Sequence, residues 1–357
     1  MTTVTETIFL TGFPGFIAGR LVKQLATDGA RLLLLVQPTF RARAQADLAR
    51  ICAETGASFD QFQILAGDIT QTDLGLSAAA RTQARAETTS IFHLAAIYDL
   101  AVAHDLAMRV NVAGTQHVNE FAHTLQNLRR YNYVSTCYVA GRRTGLIREA
   151  ELQHDAGFRN YYEETKYLAE LEVERLKAEL PLTIHRPAVV CGDSRTGETT
   201  KYDGVYYLIN YLRKQPRLLA LANIGNRGVR LNVVPVDFVV EAIQTLARDE
   251  RAVGATVQIA DPQPLTTYEL FETIAHALAG RGSLLQVPPP LVRASLALPI
   301  SEKLTGLPRI AVPYFFIDQT YDTTHAQDLL APHGVRCPPF PTYVHALINY
   351  VAAHPQT

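Results

Sequence analysis

Tyr162 and Lys166 stand four residues apart in YEETK, an offset that puts both side chains on one face of a helix. A lysine ammonium beside a phenol favours the phenolate and draws the tyrosine pKa down from about 10 toward neutrality. A phenol so tuned can give and take a proton. Upstream, YVSTCYVAG ends an apolar run at Thr136, whose hydroxyl could donate to a substrate oxygen or bond its own turn. Near the start, IFLTGFPGFIAGRLV breaks an apolar run at Gly12 and Gly15 and then resumes with a helical period.

In T-G-x-x-G-x-x-A, Gly12 permits a tight turn, Gly15 lets an anion approach the backbone, and Ala18 lets the helix pack on the strand. Pro14 lacks an N–H, but its fixed φ suits a turn or a first helical position. The helix N-terminus offers unpaired N–H groups to a pyrophosphate, which makes this a candidate dinucleotide site with Phe16 and Ile17 in its first turn. A second strand, RLLLLV, ends at Gln37 with Arg41 and Arg43 beyond it. No carboxylate is there to hold a ribose 2′-hydroxyl, and the arginines could accept a 2′-phosphate, so NADP(H) is favoured, with NAD(H) the alternative if they only face solvent. Asp68 and Ile69 follow a third strand, where Asp68 could meet an adenine or cap a helix. Ala95, in HLAA after a fourth strand, leaves room for a cofactor.

The elements that must position these residues are legible. Apolar runs at 7–10, 31–36, 62–66, 90–95, 131–135 and 182–185 read as strands, and 19–25, 105–125 and 162–180 have helical spacing. Strands alternating with helices predict right-handed βαβ units, hence an α/β, doubly wound parallel sheet. After Pro187 the pattern loosens, then recovers as a helix at 235–248 and a strand at 255–261 that rejoin the sheet. The expected division is a dinucleotide-binding part, 1–189 plus 233–261, and a smaller substrate part, 190–232 plus 262–357. Prolines at 288, 289, 290, 299, 308 and 313 exclude one long helix there.

Composition narrows the partners. Lys+Arg 33 against Asp+Glu 34 leaves a formal charge of -1, so nucleic acid and anionic membranes are not expected. Four scattered cysteines suggest neither a zinc site nor a disulfide framework, and MTTVTETIFL lacks the basic start of a signal peptide. A reducing, cytoplasmic setting and a small-molecule partner are expected, with a homodimer left open.

TGxxGxxA, VNVAGT at 110–115, Thr136 and the Tyr162–Lys166 pair together resemble the extended short-chain dehydrogenases/reductases, a Rossmann-fold family, in the family's own order. The resemblance implies that Asn111 supports a proton relay, Thr136 polarises a carbonyl, Tyr162 is the acid/base, and Lys166 binds the nicotinamide ribose and tunes Tyr162. RPAVVCGDSRTGE at 186–198, whose Pro187 is expected beside the cofactor, and NVVPVDFVVEAI at 232–243 are similar to the thioester-reductase domains and fatty acyl-CoA reductases. Gln37 stands where that branch commonly carries a basic residue. Arg230 also resembles the phosphate-binding arginine of nucleotide-sugar epimerases, which keeps an epimerase or dehydratase with tightly bound NAD as the alternative. A non-catalytic NADP-sensing protein would typically lack the Tyr–Lys pair. Tyr202, Tyr206, Tyr207 and Tyr211, with the apolar stretches 283–300 and 310–317, could form a core or line a cleft for a lipophilic substrate: an acyl thioester, aldehyde or ketone.

Overall fold

Five of the six residues of RLLLLV are buried, and a strand apolar on both faces needs a layer on each side. The computed structural model, which describes residues 6–214, 222–298, 300–305 and 307–355, supplies both layers. Residues 1–5 and Pro299, used in the sequence reading, lie outside the described residues. Seven strands form one parallel sheet: β1 (Thr7–Thr11), β2 (Arg31–Val36), β3 (Phe62–Ala66), β4 (Ser90–His93), β5 (Arg130–Val134), β6 (Leu182–Pro187) and β7 (Thr256–Ile259). Their spatial order is β7-β6-β5-β4-β1-β2-β3. The order reverses beside β1, and such a switch point opens a crevice at the carboxyl ends of the strands.

The helices between strands are α1 (Phe16–Thr27), α2 (Arg41–Thr55), α3 (Ala78–Glu87), α4 (residues 104–123) and α5 (Tyr161–Glu174). Ile8, Leu10, Leu32 and Leu34 pack against α1 on one face of the sheet, whereas Phe9, Leu33, Leu35 and Ile91 pack against α4 on the other. The alternation follows from the two-residue side-chain period of a strand. The middle of α4, Met108–Ala113, is wound as a π turn. α5 starts where the Asn160 side chain accepts from the Glu163 N–H at 3.0 Å.

A second core gathers α6 (Val205–Lys214), α8 (Thr267–Ala279), α9 (Pro289–Ala297) and α10 (Phe340–Ala353) around Tyr206, Ile209, Phe271, Ile274 and Leu347, while α7 (Val236–Arg248) returns to the first core beside α1. The helix Val236–Arg248 packs in the first core, and Thr256–Ile259 pairs with β6 at the edge of the first sheet. The C-terminal region departs from the expected division. Ala326, Leu329, Leu330 and Val335, grouped by sequence with the substrate part, pack in the first core, and Gln319–Tyr321 pairs in parallel with Gly145–Ile147. Position along the chain does not reveal which core a late apolar face will meet.

Candidate active site

A cleft of about 620 Å³ opens at the carboxyl ends of β1, β4 and β5. Its floor begins at the glycine turn. Gly12 has φ +97°, and a Cβ there would lie 2.8 Å from the Ala95 nitrogen and the Leu94 carbonyl carbon. A Cβ on Gly15 would lie 2.6 Å from the Gly12 oxygen. Both glycines are therefore demanded by the chain's own backbone, a requirement beyond the ligand clearance that the motif suggested. Among the described residues no side chain caps α1, and its first turn, Phe16 and Ile17, lines the cleft beside Pro14 and Gly15. Uncapped N–H groups at the end of a twelve-residue helix attract an anion.

Further along, Gln37, Asp68, Ile69 and Ala95 all line the cleft. Asp68 accepts from the Thr70 N–H at 2.8 Å, which is turn chemistry and leaves its other oxygen for a ligand. The two arginines separate: Arg43 lines the cleft and pairs loosely with Asp47 at 3.9 Å, whereas Arg41 opens α2 in an exposed position away from the lining. Phe40, 47% exposed on the same rim, is an aromatic that the sequence reading passed over.

At the other end, Thr136, Tyr162, Lys166 and Pro187 share the lining. Thr136 caps the short turn after β5, accepting from the Tyr138 N–H at 3.2 Å, and it lines the cleft together with Tyr162. One side chain thus serves both the turn and the site. The electrostatics of the pair differ from the sequence expectation. Burial pushes the Tyr162 phenol above its ordinary pKa, partly offset by the nearby Thr136 hydroxyl. The Lys166 ammonium does not bond the phenol; it donates to Tyr133 Oη at 3.0 Å and to the Val134 carbonyl at 2.9 Å. Desolvation lowers Lys166 to about 8, with Glu170 acting in the opposite direction. Helical spacing put the two on one face, but desolvation of the phenol outweighs a cation held elsewhere.

Asn111 lies off the cleft and is buried in the π turn. Its Oδ1 accepts from the Ile97 N–H at 2.8 Å and its Nδ2 donates to Thr165 Oγ1 at 3.0 Å, so it ties the loop after β4 to α5.

For Tyr206 and Tyr211 the core is the alternative that the structure takes. Both are buried in the second core, and among the described residues none of 283–300 or 310–317 lines this cleft, although Tyr314 and Ile317 line a smaller pocket that also takes in Thr136 and Tyr138. The wall comes instead from Leu94, Ile97, Leu106, Val110, Tyr98 and Tyr138. Tyr98 packs edge-on against Tyr162 with ring centroids 5.0 Å apart, and Lys201 Nζ sits 4.2 Å from the Tyr98 centroid. Asp203, raised by burial, completes this corner of the lining. The sequence signal for these residues was a lone tyrosine and a KYD tripeptide, too common to single out.

Residues 10–243 match the model of a protein family described as male sterility protein. The chain belongs to that family. It is an extended short-chain dehydrogenase/reductase, as its motifs imply. Among curated relatives of this male sterility protein family member, glycine betaine reductase ATRR of Emericella nidulans is 28% identical over 76% of this chain and 22% of its own length. Fatty acyl-CoA reductase wat of Drosophila melanogaster is 24% identical over 68% of this chain and 54% of its own. The chain thus spans between about a fifth and half of these relatives. The terminal R domain of the myxalamid PKS-NRPS biosynthetic pathway has the same fold, with a TM-score of 0.82, 23% identity, and 99% and 92% of the two chains covered. MoeE5 in complex with UDP-glucose and NAD has a TM-score of 0.65 at 20% identity, covering 97% and 99%. Among the described residues no helix is long and apolar enough to cross a membrane.

The residues present fit a dinucleotide: an uncapped helix N-terminus, a glycine turn closed against Ala95, and a continuous cleft from Gln37 to Tyr162.

Proposed function

We propose that this family member binds NADP(H) in the cleft and reduces a carbonyl of a lipophilic substrate, an acyl thioester, aldehyde or ketone. The observation that carries the reading is the convergence of Thr136, Tyr162 and Lys166 in the same cleft as the glycine turn. Gly12, Gly15 and the first turn of α1 hold the pyrophosphate, and Asp68 and Phe40 flank the adenosine. Arg43, on the rim where no carboxylate opposes it, favours the 2′-phosphate. When bound, the nicotinamide supplies hydride to the carbonyl carbon. Thr136 donates a hydrogen bond to the substrate oxygen, and Tyr162 gives that oxygen its proton. For a thioester, collapse of the resulting hemithioacetal expels the thiol and leaves an aldehyde. The apolar wall from Leu94 to Val110 excludes water from the reacting carbon.

The relatives named as fatty acyl-CoA reductase and glycine betaine reductase support reduction. The neighbour that holds UDP-glucose and NAD keeps sugar nucleotides in the test. Arg230, the cation a diphosphate would need, donates to the Pro264 carbonyl, which favours the reductase reading. Four free cysteines suit a reducing compartment, and we place the protein in the cytoplasm. The experiment offers acyl-CoA thioesters of increasing length, aldehydes, ketones and UDP-sugars, and follows NADPH or NADH oxidation and sugar interconversion separately. Reduction that improves with chain length is expected. Turnover confined to UDP-sugars overturns the reading, and cofactor binding with no turnover at all makes the protein a sensor.

A further inference from the structure

Behind the cleft floor lies a line of buried polar groups that the proposed chemistry does not use. Thr11, His93, Thr115 and Tyr133 are each at most 1% exposed, on β1, β4, α4 and β5. Lys166 Nζ donates to Tyr133 Oη at 3.0 Å, and the Thr115 hydroxyl approaches the same phenol. Thr115 Oγ1 in turn donates to the Asn111 carbonyl at 2.6 Å and lies 3.1 Å from His93 Nε2. His93 Nδ1 is 2.7 Å from Thr11 Oγ1, which accepts from the Ala95 N–H at 3.2 Å.

One assignment of protons satisfies every group. The Ala95 N–H donates to Thr11, the Thr11 hydroxyl donates to Nδ1 of a neutral His93, and its Nε2–H donates to Thr115. Thr115 has then spent its own proton on the Asn111 carbonyl, which leaves its oxygen as an acceptor on the side of Tyr133, whose lone pairs take the Lys166 ammonium. Burial holds His93 well below its ordinary pKa, at about 3, so the neutral ring that this assignment needs persists at neutral pH. Each member is oriented by the next, beginning at Ala95, the residue against which the Gly12 turn closes.

We infer that Tyr133 is a positioning residue that fixes the place and the protonation of Lys166, with Thr115, His93 and Thr11 orienting its hydroxyl from the glycine turn. The inference rests on the reading of Lys166 as the cofactor-side cation and adds what holds it. The charged or titratable groups facing Lys166 are Glu170 and Tyr162 from its own helix, Tyr133 from β5 and His93 from β4. Lys166 Nζ also sits 4.6 Å from the Tyr133 ring centroid, a contact that phenylalanine would keep while losing the hydrogen bond.

The test is a titration of the free protein by NMR with ¹³C-labelled lysine, tractable because the sequence has six lysines, with Lys166→Arg assigning the resonance. Tyr133→Phe should lower the Lys166 midpoint by about tenfold in acid dissociation constant, the scale of one hydrogen bond to a charged group. An unchanged midpoint in a folded Tyr133→Phe protein overturns the inference. Should that variant fail to fold, Thr115→Val decides: a smaller fall in the midpoint supports the chain and no change overturns it. Failure of the cofactor reading shows separately, as Lys166→Met binding NADPH as tightly as the unmodified protein.

Discussion

Tyr162 and Lys166 share a helix face, but their neighbours set their chemistry. Because burial raises the phenol, Tyr162 is protonated throughout the neutral range and is poised as an acid toward a carbonyl oxygen. Tyr162→Phe should lower turnover by about 10²- to 10⁴-fold with cofactor affinity kept, read from steady-state rates beside cofactor titrations. Lys166 ionises near 8, so its ammonium is present below that pH and lost above it. The unfolded chain, with an ordinary lysine near 10.4, binds the proton across the interval between, so this group makes stability rise with pH there. Affinity for NADPH should have the opposite slope and weaken above about pH 8. A Lys166→Met protein should lose that limb, as dissociation constants measured across the range will show. At the far end of the cleft Arg43→Ala should erase a preference for NADPH over NADH, while Arg41→Ala, away from the lining, should leave it intact. Equal affinities in the unmodified protein would mean that both arginines only face solvent.

The glycine turn is the element on which the cleft depends. A side chain at Gly12 would meet the backbone of Leu94 and Ala95 and would also have to hold φ +97°. Gly12→Ala should therefore cost about 1–3 kcal/mol in denaturant unfolding even without cofactor, as well as weakening cofactor binding. If the glycine served ligand clearance alone, stability would be unmoved. The π turn in α4 works alongside it. By placing Asn111 between the Ile97 backbone and Thr165, it sets the spacing of the loop that carries Tyr98 from the helix that carries Tyr162.

Across the whole molecule, a buried ion pair locks the layers that meet at the site. Arg186, 1% exposed at the end of β6, bonds the Glu170 carboxylate of α5 at 2.8 Å and the carbonyls of Glu149 and Glu151 at 3.0 and 3.1 Å. Glu170→Ala would strand a buried guanidinium, and a loss of about 3–5 kcal/mol is expected in equilibrium unfolding. An effect under about 1 kcal/mol would mean that the carbonyls alone hold Arg186.

Strand and helix periods made the parallel sheet legible: 31–36 and 62–66 are the observed strands, and 90–95 and 131–135 differ from them by one or two residues. The glycines, Thr136 and the Tyr–Lys offset were legible for the same reason, since local backbone geometry and helical spacing are properties of neighbouring residues. The partner of Lys166, the sign of the shift at Tyr162 and the wall around Tyr98 were not. Each depends on which distant segment is packed alongside and how much water it removes. Desolvation and long-range contact have no period along a chain, so they came into being only when β4, β5, α4 and α5 were brought together.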